Sequence, residues 1–114
     1  EKQVVGHLAD GRVSAVIGTH THVPTADEHI LPGGTAFITD VGMCGDYLSV
    51  IGMRKDEPLQ RMQSKIPSSR FEPAMGQATV CGVLIETDDS TGLATAIKPI
   101  RVGGVLSHAA PDTE

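Results

Sequence analysis

Tryptophan is absent and only Phe37, Tyr47 and Phe71 are aromatic, 3% of 114 residues. The core must therefore be aliphatic, and a reader of single-stranded nucleic acid that stacks bases on aromatic platforms is disfavoured. Cysteine is nearly as scarce. Cys44 and Cys81 lie far apart with no C-x-x-C spacing, which excludes a thiolate zinc ribbon or a dense disulfide framework and leaves two reduced thiols. No apolar run approaches the roughly 18 residues that span a bilayer, and the N-terminus lacks the charged-then-apolar pattern of a signal peptide. The expectation is a soluble, cytoplasmic protein with no membrane partner. Basic residues are outnumbered, nine against fourteen acidic, for a net charge of −5. That balance opposes binding to duplex nucleic acid or an anionic surface, so any phosphate must be neutralised locally, for example by metal.

What is present is ordinary globular material, 39% hydrophobic and 20% charged, in a length that suits one small domain. The first ten residues read as a helix already under way, with Val4, Val5 and Leu8 on one face, stopped by Asp10-Gly11. Val13, Ala15, Val16 and Ile17 form a short apolar run, as expected of a strand buried on both faces. A polar loop from Thr19 to Glu28 follows. His29 to Leu31, the turn Pro32-Gly33-Gly34 and the run Thr35 to Thr39 then predict two adjacent strands. Asp56 to Lys65 is a helix candidate, with Asp56 able to cap and Leu59, Met62 and Ile66 on one face. Thr79 to Glu86 and Ala94 to Val102 flank a turn-forming stretch and predict a β-hairpin. The tail beyond Gly103 has no regular pattern, and 107–114 is expected to be mobile.

The informative segment is Gly18-Thr19-His20-Thr21-His22. In an extended chain, residues two apart point to the same side, so His20 and His22 would converge on one point as a metal clamp. Such imidazoles need a carbonyl or carboxylate on the other ring nitrogen, and Asp27 and Asp40 are the candidates for that supporting role. The spacing also suits two exposed loop histidines, and Asp40 equally suits a strand-end turn. Cys44 sits in a glycine-rich loop that could approach the same place. His7, His29 and His108 read as surface groups. The arginines are scattered, and Gly33-Gly34 lacks the Lys-Ser/Thr of a phosphate-binding P-loop.

These stretches resemble a known family. Gly11 to Asp27, Ile30 to Ala36 and Thr39-Asp40-Val41-Gly42-Met43-Cys44-Gly45 are similar to the YmdB-type metallophosphoesterases, and the likeness extends through Ser49 to Gly52 and Arg70-Phe71 to the closing hairpin. The resemblance implies an α/β fold, part of a two-layer β-sandwich of the calcineurin-like superfamily with flanking helices. It implies phosphodiester hydrolysis, with cyclic nucleotides among the possible small-molecule substrates, at a dinuclear site of divalent transition metals, iron or manganese with zinc as an option. It matches His20 and His22 to the last two metal-binding histidines. Residues 1–106 would then be the C-terminal portion of a metallophosphoesterase domain.

The acidic, asparagine and histidine ligands that the family draws from earlier segments have no counterpart here. One H-x-H cannot fill two coordination shells, so this chain alone is expected to be incomplete and inactive, needing an N-terminal segment to finish the site. No residue of the chain is assigned as catalytic. The alternative is a non-catalytic truncated module used for oligomerisation or protein interaction. In either case exposed strand edges and apolar faces favour a homo-oligomer.

Overall fold

A computed structural model of the chain describes residues 1–64 and 72–111. Arg70-Phe71 and the predicted helix positions Lys65 and Ile66 lie outside the described residues. The structure is mixed α/β: helix α1 (Lys2–Ala9), strands β1 (Ala15–Ile17), β2 (His29–Ile30) and β3 (Ala36–Ile38), helix α2 (Asp56–Ser64), and strands β4 (Val80–Thr87) and β5 (Ala94–Val102). The first three strands form one sheet in the order β1-β3-β2, and the last two form a separate antiparallel ribbon.

Chain order explains the sheet. The loop after β1 carries the chain across to β2, Pro32-Gly33-Gly34 reverses it, and β3 returns between its two predecessors. β3 therefore runs antiparallel to β2 and parallel to β1, with Ala15, Val16 and Ile17 opposite Ala36, Phe37 and Ile38. The parallel register places the C-terminal ends of β1 and β3 side by side. This is the edge where α/β sheets carry their binding loops. The predicted hairpin is present with residues 88–93 as its loop, and β5 starts beside the first sheet through a bond from Ala94 N–H to the Gly34 carbonyl (2.8 Å).

β3 is buried along its whole length, and with Leu31, Cys81 and Ala94 it makes up the aliphatic core among the described residues. One expectation of burial is overturned. β1 is not buried on both faces: Ile17 is 39% exposed, because among the described residues β1 is an edge strand with one neighbour. The Val4, Val5 and Leu8 face of α1 is exposed, and the helix packs through Gly6 instead. A Cβ there would come within 2.7 Å of the Phe37 ring, so the contact depends on the missing side chain. Leu59 and Met62 of α2 are exposed as well.

Polar bonds fix the ends of α1 and the β2–β3 turn. Gly11 takes φ +83°, the left-handed turn that ends the helix. The Asp10 carboxylate accepts from the Gly33 and Thr35 N–H groups, at 2.7 and 3.2 Å. Buried Thr35 donates its hydroxyl proton to the Val13 carbonyl (2.7 Å) and accepts from the Gly11 N–H (2.9 Å). The tail turns back, and Ala109 pairs with Arg101 by two backbone bonds.

The body is flat, with extents of 56 × 32 × 17 Å and a radius of gyration of 17.3 Å. A compact domain of this length has about 13 Å. Burial predicts where truncation hurts. Ile38→Ala should cost about 2–5 kcal/mol in urea unfolding, whereas Val4→Ala on the exposed helix face should stay within about 0.5 kcal/mol.

Candidate functional site

The loop after β1 departs from the extended form expected of it. Gly18 N–H still bonds to the Ile38 carbonyl and Val41 N–H to the Gly18 carbonyl, both at 2.9 Å, so the strand pair continues one step past β1. A Cβ on Gly18 would overlap the Thr39 carbonyl, so the close approach of the two chains requires glycine there. Beyond it the backbone bends sharply. His20 and His22 take φ values of +111° and +71°, the left-handed region that costs a non-glycine residue about 1–3 kcal/mol. Two strained histidines separated by one threonine, at the C-terminal ends of parallel strands, form the most distinctive local feature of the fold.

Asp40 carries that strain. It ends β3, is withdrawn from solvent, and its Oδ2 accepts from both the backbone N–H and the hydroxyl of Thr21, each at 2.7 Å. Its Oδ1 accepts from the Gly42 N–H (2.8 Å), and the Lys2 ammonium lies 3.5 Å from Oδ2 while also donating to the Thr19 carbonyl. Thr21, the residue between the histidines, is thus held at two atoms. Asp40 also makes the short-range turn bond to Gly42 that its strand-end position allows, and among the described residues its carboxylate bonds to Thr21, Gly42 and Lys2 and not to an imidazole.

Asp27 lies on the same edge but reaches neither histidine. Its carboxylate accepts from the hydroxyls of Thr25 (2.7 Å) and Thr39 and from the Thr39 N–H (3.1 Å), closing the far end of the loop against β3. Burial would raise the pKa of both aspartates. Hydrogen bonds from Thr39 and Thr25 to Asp27 outweigh this, as do those from Thr21 and Gly42 to Asp40 with the Lys2 charge, and both carboxyls are held below the ordinary carboxylate value.

Both imidazoles are exposed. His22 Nδ1 lies 2.8 Å from the Ile51 carbonyl, an acceptor, so Nδ1 donates to it, and in the neutral tautomer this bond selects, Nε2 is the nitrogen with the lone pair. This carbonyl was not legible beforehand, since nothing in the sequence ties Ile51 to position 22. Met43 N–H reaches the His22 carbonyl (3.3 Å), which brings the glycine-rich loop to the histidines as anticipated. Cys44 does not join them. Its thiol donates to the Cys81 carbonyl (3.3 Å), and both cysteines are free. His29 packs edge-on against Phe37 with ring centroids 5.9 Å apart. Among the described residues no group of three or more histidine, cysteine, aspartate or glutamate side chains is placed to hold a metal ion.

A family model for YmdB-like proteins matches residues 1–100. The chain belongs to the YmdB-like family. Within it, the chain is 49% identical over 102 residues to a 2',3'-cyclic-nucleotide 2'-phosphodiesterase of Bacillus subtilis, a match covering 90% of this chain and 38% of that protein. Among solved structures it is similar to a hypothetical protein from Thermus thermophilus (TM-score 0.82, 41% identity, 91% of this chain and 40% of that one). A Mycoplasma pneumoniae phosphatase is similar to the same degree (TM-score 0.82, 38% identity, 90% and 36%). The chain spans about two-fifths of the length of these relatives. No helix among the described residues is long and apolar enough to cross a membrane.

Two outcomes follow from the loop. His20→Gly should relieve the φ strain and raise stability by about 1 kcal/mol in urea unfolding. The depressed carboxyls contribute stability that is complete above pH about 4 and is lost as pH falls through their folded-state values. Asp40→Asn should therefore lower stability at neutral pH by about 1–3 kcal/mol and flatten its decline below pH about 4, read by urea titrations across that range.

Proposed function

We propose that this chain contributes the histidine loop of a metal-dependent phosphodiesterase acting on small phosphodiesters, cyclic nucleotides among them. The observation that carries the reading is the pair His20 and His22, strained and exposed at the strand edge, with the His22 Nδ1 proton directed to the Ile51 carbonyl so that Nε2 is the free donor. Family membership and the phosphodiesterase and phosphatase names of the relatives support it.

The donor set fits a divalent transition metal such as iron, manganese or zinc in part. Imidazole nitrogens suit these ions, and a carbonyl behind the ring is the usual support. Two imidazoles do not complete a coordination shell, so the remaining donors come from sequence beyond this segment. Bound there, such ions would supply positive charge to polarise the phosphoryl oxygens, charge that a chain of net −5 does not offer by itself. The work of this segment is positional. Asp40 fixes Thr21, Ile51 orients His22, and Asp27 anchors the loop exit through Thr25 and Thr39.

The rest of the two-layer fold is placed by the same reading on the exposed Val4, Val5 and Leu8 face of α1 and the open edge of β1, the surfaces that the described residues leave uncovered. In a chain extended to the relatives' length, His20→Ala or His22→Ala should lower bound metal by elemental analysis. Each should also cut hydrolysis of bis(4-nitrophenyl) phosphate by more than the roughly 10- to 100-fold that loss of an outer support costs. The 114-residue chain alone should show no turnover; robust turnover by it would overturn the proposal.

A further inference from the structure

A cavity of 380 Å³ opens beside the histidine loop. Val23 and Pro24, the two residues after His22, form one wall; Tyr47, Arg101 and Leu106 form others. Its size falls in the range of small-molecule sites, roughly 300–1,000 Å³. It is joined to the loop by a shared donor, since the Met43 N–H that reaches the His22 carbonyl also reaches the Tyr47 hydroxyl (2.9 Å). The phenol is fixed: it donates to the Met43 carbonyl (2.8 Å) and touches the Cys81 thiol (3.3 Å). Burial and the Cys81 contact push its pKa up to about 12, so it stays neutral.

Arg101 is the unusual member. Its backbone is paired both ways with Ala109 (2.8 and 2.9 Å), and its Nε donates to the Ser107 carbonyl (2.9 Å), which sets the guanidinium plane. No carboxylate of the described residues pairs with it, and its two Nη groups have no partner among them. In an acidic chain, a guanidinium on an apolar cavity that pairs with no carboxylate among the described residues is a fork of donors lacking an acceptor pair among them. The apolar walls narrow the choice of ligand. A free anion would satisfy the fork but set its remaining charge against Val23, Pro24 and Leu106, whereas a flat heteroaromatic ring buries its faces there and offers acceptors at its edge.

We propose that this cavity is the nucleobase subsite for a nucleotide phosphodiester bound at the histidine loop, and that Arg101 selects a base with two adjacent acceptors on one edge, as guanine presents at O6 and N7. The assignment rests on the phosphodiesterase reading for its substrate, but not for its test. Guanine satisfies both arms of the fork; adenine offers an acceptor beside a donor and leaves one arm unpaired.

The probe is guanosine, which carries no phosphate, titrated by calorimetry into the protein extended to the relatives' length. Arg101→Lys keeps the charge and the aliphatic stem but loses the fork, and together with Arg101→Ala it should weaken guanosine binding about tenfold or more. Adenosine and uridine, neither of which offers two adjacent acceptors on one edge, should bind the unmodified protein correspondingly less well, and the His20→Ala, His22→Ala double variant should keep its guanosine affinity. Equal guanosine binding by Arg101→Lys, with an unchanged melting temperature, would overturn the proposal, as would equal binding of all three nucleosides. If bis(4-nitrophenyl) phosphate is not hydrolysed while guanosine binding depends on Arg101, the hydrolase reading fails and the base site stands. If hydrolysis is observed without guanosine selectivity, the reverse holds.

Discussion

The carboxylate of Asp40, withdrawn from solvent at the end of β3, is shared by the backbone and hydroxyl of Thr21, the N–H of Gly42 and the ammonium of Lys2. One side chain thus joins the histidine loop, the glycine-rich loop and the start of α1. A buried charge is tolerated only when its lone pairs are occupied, and here three N–H or O–H donors and a cation occupy them. The left-handed backbone at His20 and His22 requires such a clamp, since neither residue would hold that conformation in a free loop. The parallel pairing of β1 with β3 is what makes the clamp possible, because it brings residue 40 beside residue 21.

Strain and orientation then combine. A loop of glycines could adopt these φ angles without cost but would offer no nitrogen donors, so energy stored at positions 20 and 22 is the consequence of placing imidazoles there. The Ile51 carbonyl removes a second freedom by selecting one tautomer of His22. Ile51 itself takes φ +48°, so the acceptor is presented by another left-handed residue. The site is rigid through hydrogen bonds to backbone and carboxylate, although the imidazoles themselves are exposed.

Much of this was legible in the residues. Turn chemistry located Gly11, the Pro32-Gly33-Gly34 reversal and the hairpin loop, because those positions are set by local backbone geometry. The edge shared by Asp40 and the histidines followed from two short apolar runs ending in polar residues. Burial was less readable. Val4, Val5 and Leu8 have the spacing of a core face, yet the contact made by α1 goes through Gly6, which periodicity counts as nothing. The extended reading of Thr19 to His22 failed for a similar reason: the φ values there are imposed by Asp40, nineteen residues away from Thr21, and no local propensity signals them. Ile51 as a partner of His22 is likewise a product of tertiary folding alone.

The exposed apolar surface is explained by the same geometry. A slab 17 Å thick has room for about one sheet and its covering layer, given that packed sheets lie roughly 10 Å apart, and the described residues bury only β3 on both faces. The exposed face of α1 and the edge of β1 that has no partner among the described residues lie against the strand that leads into the histidine loop. Under the proposed metal-dependent reading, completion of the fold and completion of the metal site are coupled: chain packed on this face would reach the C-terminal edge of β1, where two imidazoles alone do not fill a coordination shell.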